Sequence, residues 1–251
     1  MAWQTLETIP ISVAASIAPQ RADAVRSALL SRALPLARLV DGRAEPLATA
    51  SLIADGATLA LLTAAHVFEH GATGDLAVPL PRDGTWACLR SARARVIADP
   101  DRDIALVIIG DAAVANRLRA NWTPVESSHL HFEPRDDRAT LLYVVAGYPV
   151  SQARRFEGSI YMKPVVLFTT AVDDDCLAYA RTAMRVDGLD IHTPELDGVS
   201  GALVWAVDED SAPHDCFLRG AAMQVAFMHG RYVRTVSLRC APALFSRLRG
   251  H

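Results

Sequence analysis

From about Leu36 onward the chain reads as short apolar runs separated by Gly, Asp and Pro: "ARLV", "LATASLIA", "ATLALLTAA", "TWACLRSARARVIA" and "DIALVIIG". Runs of this length, rich in Val, Ile, Leu and Thr and bounded by turn residues, are strands; amphipathic helices need longer periodic stretches. "IADGA" between two of the runs predicts a hairpin, because Asp55-Gly56 supplies residues that a tight turn favours. A polar, Pro- and charge-rich segment, Thr123 to Thr140, predicts a connector. After it the strand-like runs resume with "LLYVVAGYP", "PVVLFTTAV", "CLAYARTAM", "GALVWAV", "CFLRGAAMQVAFM" and "RYVRTVSL". Many short strands in two sets predict an all-β sandwich or barrel with two halves. Helical spacing is confined to the ends. "RADAVRSALLSRALP" predicts one short helix closed by Pro35, and "APALFSRLRG" can place Ala241, Leu244, Phe245 and Leu248 on one face. The expected organisation is an N-terminal extension over 1–35, a first β unit over 36–128, and a second over 129–251 with a C-terminal helix.

A chain of 251 residues, 51% of them apolar, can bury roughly 70–75% of its unfolded surface. Its net charge of −3 argues against nucleic acid or an anionic membrane as the main partner, since either favours a basic face. No stretch reaches the roughly 18 uninterrupted apolar residues of a spanning helix. The start of the chain lacks a basic segment ahead of "IPISVAASIA" and carries Glu7, so no secretory signal is read and a cytoplasmic location is expected. Cys88, Cys176, Cys216 and Cys240 lie far apart and form no CxxC pair. Scattered thiols are expected rather than a zinc site, with a Cys176–Cys216 pairing left open.

Three motifs carry the chemistry. His66 closes "LLTAAH", Asp103 opens the apolar strand "DIALVII", and Ser200 sits between glycines in "LDGVSGALVW", spaced 37 and then 97 residues apart. Singly each has an ordinary structural explanation: a histidine at a strand end, an aspartate capping a turn, a Gly-rich turn. Together, Thr63-Ala64-Ala65-His66, Asp103-Ile104-Ala105-Leu106 and Gly198-Val199-Ser200-Gly201 resemble the three signature motifs of trypsin/chymotrypsin-like serine proteases, in the family's order and at its spacing. "ATASLIADGATLALLTAAH" and "VVAGYP" resemble the stretches that precede the family's histidine and open its second barrel. The likeness runs from about Leu36 to the C-terminus.

The resemblance implies two six-stranded antiparallel β-barrels with a cleft between them, and a serine endopeptidase. It needs no metal or organic cofactor and takes a polypeptide as substrate. Serine is a poor nucleophile without an adjacent base. His66 would take the Ser200 proton and pass it to the leaving amine, and Asp103 would fix the imidazole tautomer. The backbone N–H groups of Gly198 and Ser200 would receive the developing oxyanion. Asp103 should then be shielded from water, with His66 and Ser200 on one groove. By the same likeness Pro194 and Met223, Gln224 and Val225 lie near the primary specificity pocket, with no acid clearly at its base.

Two departures stand out. Val199 occupies the position of the aspartate that, in members activated by cleavage, pairs with a new N-terminal ammonium, so the expectation is activity without such processing or an active conformation ordered by a partner instead. Ala202 replaces the commoner second glycine after the serine. The extension is a candidate dock for a regulatory protein. "HLHFE" (His129, His131, Glu133) and the acidic "VDDDC" read as solvated loops rather than metal sites. An α/β-hydrolase is disfavoured by Ala202 and by the wrong order of acid and histidine. A protease-like domain that binds without cleaving is the other reading.

Overall fold

The computed structural model describes residues 19–69, 76–130, 142–156, 159–169, 176–178, 183–186, 189–192, 195–207, 217–220, 223–224, 232–235, 244 and 246. Helix α1 (Pro19–Leu30) leads into β1 (Ala33–Val40), β2 (Arg43–Asp55), β3 (Thr58–Thr63), β4 (Leu76–Leu80), β5 (Thr85–Cys88), β6 (Arg95–Asp99) and β7 (Ile104–Ile108). These seven strands make one antiparallel sheet in the order β5-β4-β1-β2-β3-β7-β6. After helix α2 (Ala112–Asn121), the two-residue strand β8 (Val125–Glu126) adds to β2 in parallel.

The reason for the sheet lies in its leucines and isoleucines. Leu34, Leu36, Leu52, Ile53, Leu59, Leu61, Leu62, Leu76 and Leu80 are almost completely buried. Each such side chain stabilises the fold by about 1.5–3 kcal/mol relative to exposure. The β2–β3 hairpin forms at Asp55-Gly56 as the sequence predicts, with Gly56 at φ 58° and Asp55 opposite Thr58. Strand β2 tolerates Pro46 because the register against β1 slips there, leaving Leu47 unmatched in a bulge.

The second half is built around β9 (Leu142–Gly147), which lies between β12 (Val165–Thr169) and β16 (Val204–Val207), with β17 (Phe217–Gly220) beyond. The hairpin of β10 (Ala153–Phe156) and β11 (Ser159–Met162) stands apart. So do β13 (Cys176–Ala178) with β19 (Tyr232–Thr235) and β18 (Met223–Gln224), and the pair β14 (Ala183–Val186) and β15 (Leu189–His192).

The protein is mostly β-sheet with few helices, in keeping with a chymotrypsin-like β fold, but the expectation of two closed six-stranded barrels is corrected. The described strands form open sheets. In the first half the two edge strands, β5 and β6, are not paired with each other. The run "TWACLRSARARVIA" is two strands, because Leu89 to Ala94 turns, with Arg93 at left-handed φ 49° and Ala94 N–H donating to the Leu89 carbonyl. Its two pieces become the opposite edges of the sheet.

Two further expectations change. The N-terminal helix ends at Leu30, and Pro35 lies inside β1 rather than closing the helix. Val25 and Leu29 of α1 are buried in the common core. Helix α2, unforeseen, starts where the Asp111 carboxylate accepts from Val114 N–H at 3.0 Å. Of the connector, residues 123–130 are described and include β8; 131–140 lie outside the described residues, as does most of the expected C-terminal helix, where Leu244 and Ser246 are helical. Among the described residues no helix is long and apolar enough to cross a membrane.

Candidate active site

Strand β3 runs out at Thr63, and Ala65–Phe68 turn as a short 3-10 helix that presents His66 at the sheet's end. Asp103 reaches the same place from the far side of the neighbouring strand. Pro100–Arg102 form one 3-10 turn, and Asp103 follows in the left-handed region at φ 54°, ψ 40°, a conformation Asp tolerates better than most residues. The turn is pinned twice: Asp103 N–H donates to the Pro100 carbonyl at 3.2 Å, and the Asp103 carbonyl accepts from Ala65 N–H at 3.2 Å.

The Asp103 carboxylate grips His66 by both backbone and ring. One oxygen accepts from His66 N–H at 2.8 Å, and the other lies 2.8 Å from Nδ1. A carboxylate only accepts, so Nδ1 carries the hydrogen and Nε2 is left with the lone pair of a base. The Asp103 side chain is 8% exposed and that of His66 40%. The hydrogen bond that His66 donates to Asp103 holds the His66 pKa above its ordinary 6.5; burial opposes this, and the charges of Asp103 and Glu69 add to it.

The serine turn arrives from the second half and docks on the end of β3. A Cβ at Gly201, whose φ is 86°, would run into the Thr49 carbonyl oxygen and lie 2.8 Å from Ala64 N. Glycine is the residue that lets the Ser200–Gly201 backbone lie directly on Thr63–Ala64, two positions before His66. Ser200 itself is 9% exposed. Gly198, at φ 91°, is equally constrained: a Cβ there would come 2.9 Å from the Tyr148 carbonyl oxygen and 3.0 Å from Val150 N.

One residue outside the three motifs organises this turn. Thr49, fully buried on β2, donates its N–H to the Ser200 carbonyl at 2.9 Å. Its hydroxyl donates to the Gly198 carbonyl at 2.8 Å and accepts from Tyr148 N–H at 2.9 Å. Its carbonyl accepts from the Thr63 hydroxyl at 2.8 Å. With Val150 N–H on the Asp197 carbonyl at 2.7 Å and Val199 N–H on the Leu196 carbonyl at 2.9 Å, the carbonyls around Gly198 and Ser200 are all committed. Among the described residues the N–H groups of Gly198 and Ser200 have no hydrogen-bond partner. The available signal for Thr49 was a hydroxyl, one of two with Ser51, in the otherwise apolar run "LATASLIA". The five buried polar residues among those described are Thr49, Ser51, Thr63, Asp103 and Ser200, and four of them belong to this assembly.

Val199 is completely buried, and a Cβ on Gly147 would sit 2.9 Å from its side chain, so the position is filled by apolar packing. Ala202 is completely buried too, with its N–H on the Val199 carbonyl at 2.9 Å. Of the residues expected near the specificity pocket, Met223 and Gln224 form β18, while Pro194 and Val225 lie outside the described residues. His129 is exposed in a 3-10 turn, and His131, Glu133 and the "DDD" of residues 173–175 lie outside the described residues.

No protein-family model matches the sequence, and no curated protein matches it. Solved structures similar to this chain include several proteases. A scabies mite inactivated protease paralogue shares 12% identity at a TM-score of 0.52, covering 89% of this chain and 96% of that one. Catalytically inactive tobacco etch virus protease in complex with substrate shares 14% at 0.45, covering 87% and 86%. A protease from M. tuberculosis in its active form shares 17% at 0.44, covering 91% and 86%. At these identities the likeness concerns the fold.

Proposed function

We propose that the chain is a serine endopeptidase. The observation that carries this reading is the His66 ring, oriented by a buried carboxylate at 2.8 Å, beside a Gly-Val-Ser-Gly turn packed on the segment leading to that histidine. In this reading the Ser200 hydroxyl attacks the scissile carbonyl carbon while its proton passes to His66 Nε2. The C–N bond then breaks, the amine leaves with that proton, and water releases the acyl group from Ser200 by the same route in reverse. Asp103 holds the ring and stabilises the imidazolium. The N–H groups of Gly198 and Ser200 stabilise the oxyanion, each such donor being worth about 3–4 kcal/mol in the barrier. Met223 and Gln224, with Pro194 and Val225, would border the primary pocket, and the substrate is a polypeptide of unassigned sequence. Val199 fits activity without N-terminal cleavage, since a buried valine makes no ion pair.

A fluorophosphonate probe tests the proposal. Ser200 should become labelled and Ser200→Ala should not. The second reading is a partner-binding module that has the fold without the chemistry, and one similar structure is itself described as an inactivated protease paralogue. A folded parent chain that resists the probe would favour it.

A further inference from the structure

A concave site with a volume of about 650 Å³, within the usual range for ligand sites, has no part of its wall from His66 or Ser200. Its walls come from both halves of the molecule. The first half supplies Trp86, Trp122 and Arg43, and the second supplies Tyr148, Arg155 and Tyr161. Three prolines also line it, and among the described residues no carboxylate does.

Two features of these walls ask for a ligand. Tyr148 is only 9% exposed, yet among the described residues its hydroxyl has no hydrogen-bond partner. Burial pushes that hydroxyl's pKa up to about 12, so it stays protonated and available as a donor. A buried polar group left unpaired costs about 1–3 kcal/mol, which an incoming acceptor recovers. Tyr161, in contrast, is 69% exposed, the most exposed large apolar side chain among those described. The two tryptophans differ in the same sense. Trp122 already donates its indole N–H to the Pro79 carbonyl at 2.8 Å, whereas the Trp86 N–H has no partner among the described residues.

Flat aromatic faces with donors left over match an extended polyproline-II segment. Its rings stack on aromatic walls, and its carbonyls, free of internal hydrogen bonds, accept from indole and phenol groups. The two guanidiniums add a preference for carboxylate. Arg155 spends one N–H on the Ala44 carbonyl at 3.1 Å and keeps the rest of its fork. We propose that the cavity between β5 and the β10–β11 hairpin is a docking site for a proline-rich, acidic segment of a partner polypeptide, separate from the site of bond cleavage. The binding claim stands whether or not Ser200 is a nucleophile.

Full-length Ser200→Ala chain titrated into a fluorescein-labelled nine-residue peptide of three Pro-Pro-Glu repeats, read by anisotropy, tests this. Saturable binding is expected. Tyr161→Ala and Arg155→Gln, both exposed positions that leave the core intact, should each weaken it about tenfold or more. Tyr148→Phe, which removes one hydroxyl and keeps the ring, should weaken it about fivefold, the effect of one neutral hydrogen bond. A peptide of three Gly-Ser-Glu repeats should bind at least tenfold more weakly. Absence of binding by the folded chain at millimolar concentration overturns the proposal. Equal affinity for the two peptides does so as well, since charge alone would then explain it. Indifference to both Tyr161→Ala and Tyr148→Phe places the peptide elsewhere and has the same force.

Discussion

His66 and Asp103 meet within one half of the molecule, whereas the turn carrying Ser200 takes much of its shape from the other half. The histidine–aspartate pair is closed by contacts between neighbouring strand ends: Asp103 to the His66 N–H, to its ring, and to Ala65. The serine turn hangs on Thr49 of β2 through the Ser200 and Gly198 carbonyls, and on Thr63–Ala64 through the close approach of Gly201. One arrangement is local and self-sufficient. The other is an interface, and its accuracy depends on how the halves dock.

That contrast can be broken or sharpened by substitution. The largest effect is expected for Asp103→Asn, which keeps the shape of the pair and reverses its hydrogen-bonding sense. Peptide hydrolysis should fall about 10⁴-fold while the Ser200 turn keeps its fold. A fall below tenfold would show that His66 is not oriented through this carboxylate.

Next comes Gly201→Ala. The new methyl meets backbone on two sides at a left-handed φ, so stability should drop by about 3 kcal/mol or more, read as urea midpoint. A near-neutral result would mean the two halves do not press together at this point.

Thr49→Val should cost about 2–3 kcal/mol of stability, because it strands the buried Tyr148 N–H and Gly198 carbonyl. On the proposed function it should lower kcat more than it changes KM, with the NMR titration of His66 unmoved. A shift in that titration would show that the two arrangements are coupled after all.

The smallest effect is in pH. The pair raises the His66 pKa, and a base must be neutral to act, so kcat/KM should rise with pH about a midpoint above 6.5. The stability contribution has the opposite sense. It is fully present below 6.5, the unfolded value, and is lost as pH climbs through the folded value. A kinetic midpoint below 6.5 in the parent chain would count against the Asp103 hydrogen bond as the dominant influence.

The same contrast explains what could be read in advance. His66, Asp103 and Ser200 were singled out because three short motifs stand together in one order and spacing, and the hairpin at Asp55-Gly56 was legible from its turn residues. Thr49 was not, since its hydroxyl acts on Tyr148 and Gly198, residues 99 and 149 positions away, and nothing near it in sequence announces those partners. The broken strand at Leu89–Ala94 escaped for a different cause. Arg93 adopts a left-handed backbone that its identity does not advertise, and Gly110, whose Cβ would lie 2.8 Å from the Arg93 carbonyl oxygen, makes room for it. The core helix α1 looked like an appendage because Val25 and Leu29 find their partners only in the assembled protein.

The way Thr49 spans the halves bears on when such a chain becomes dangerous to its surroundings. A ribosome releases the imidazole and the carboxylate long before the alcohol, and the alcohol arrives on a turn whose Gly198 and Ser200 carbonyls are held by Thr49. On the proposed reading, a half-made or misdocked molecule is unarmed, and cleavage begins only once the second half has closed onto that buried threonine.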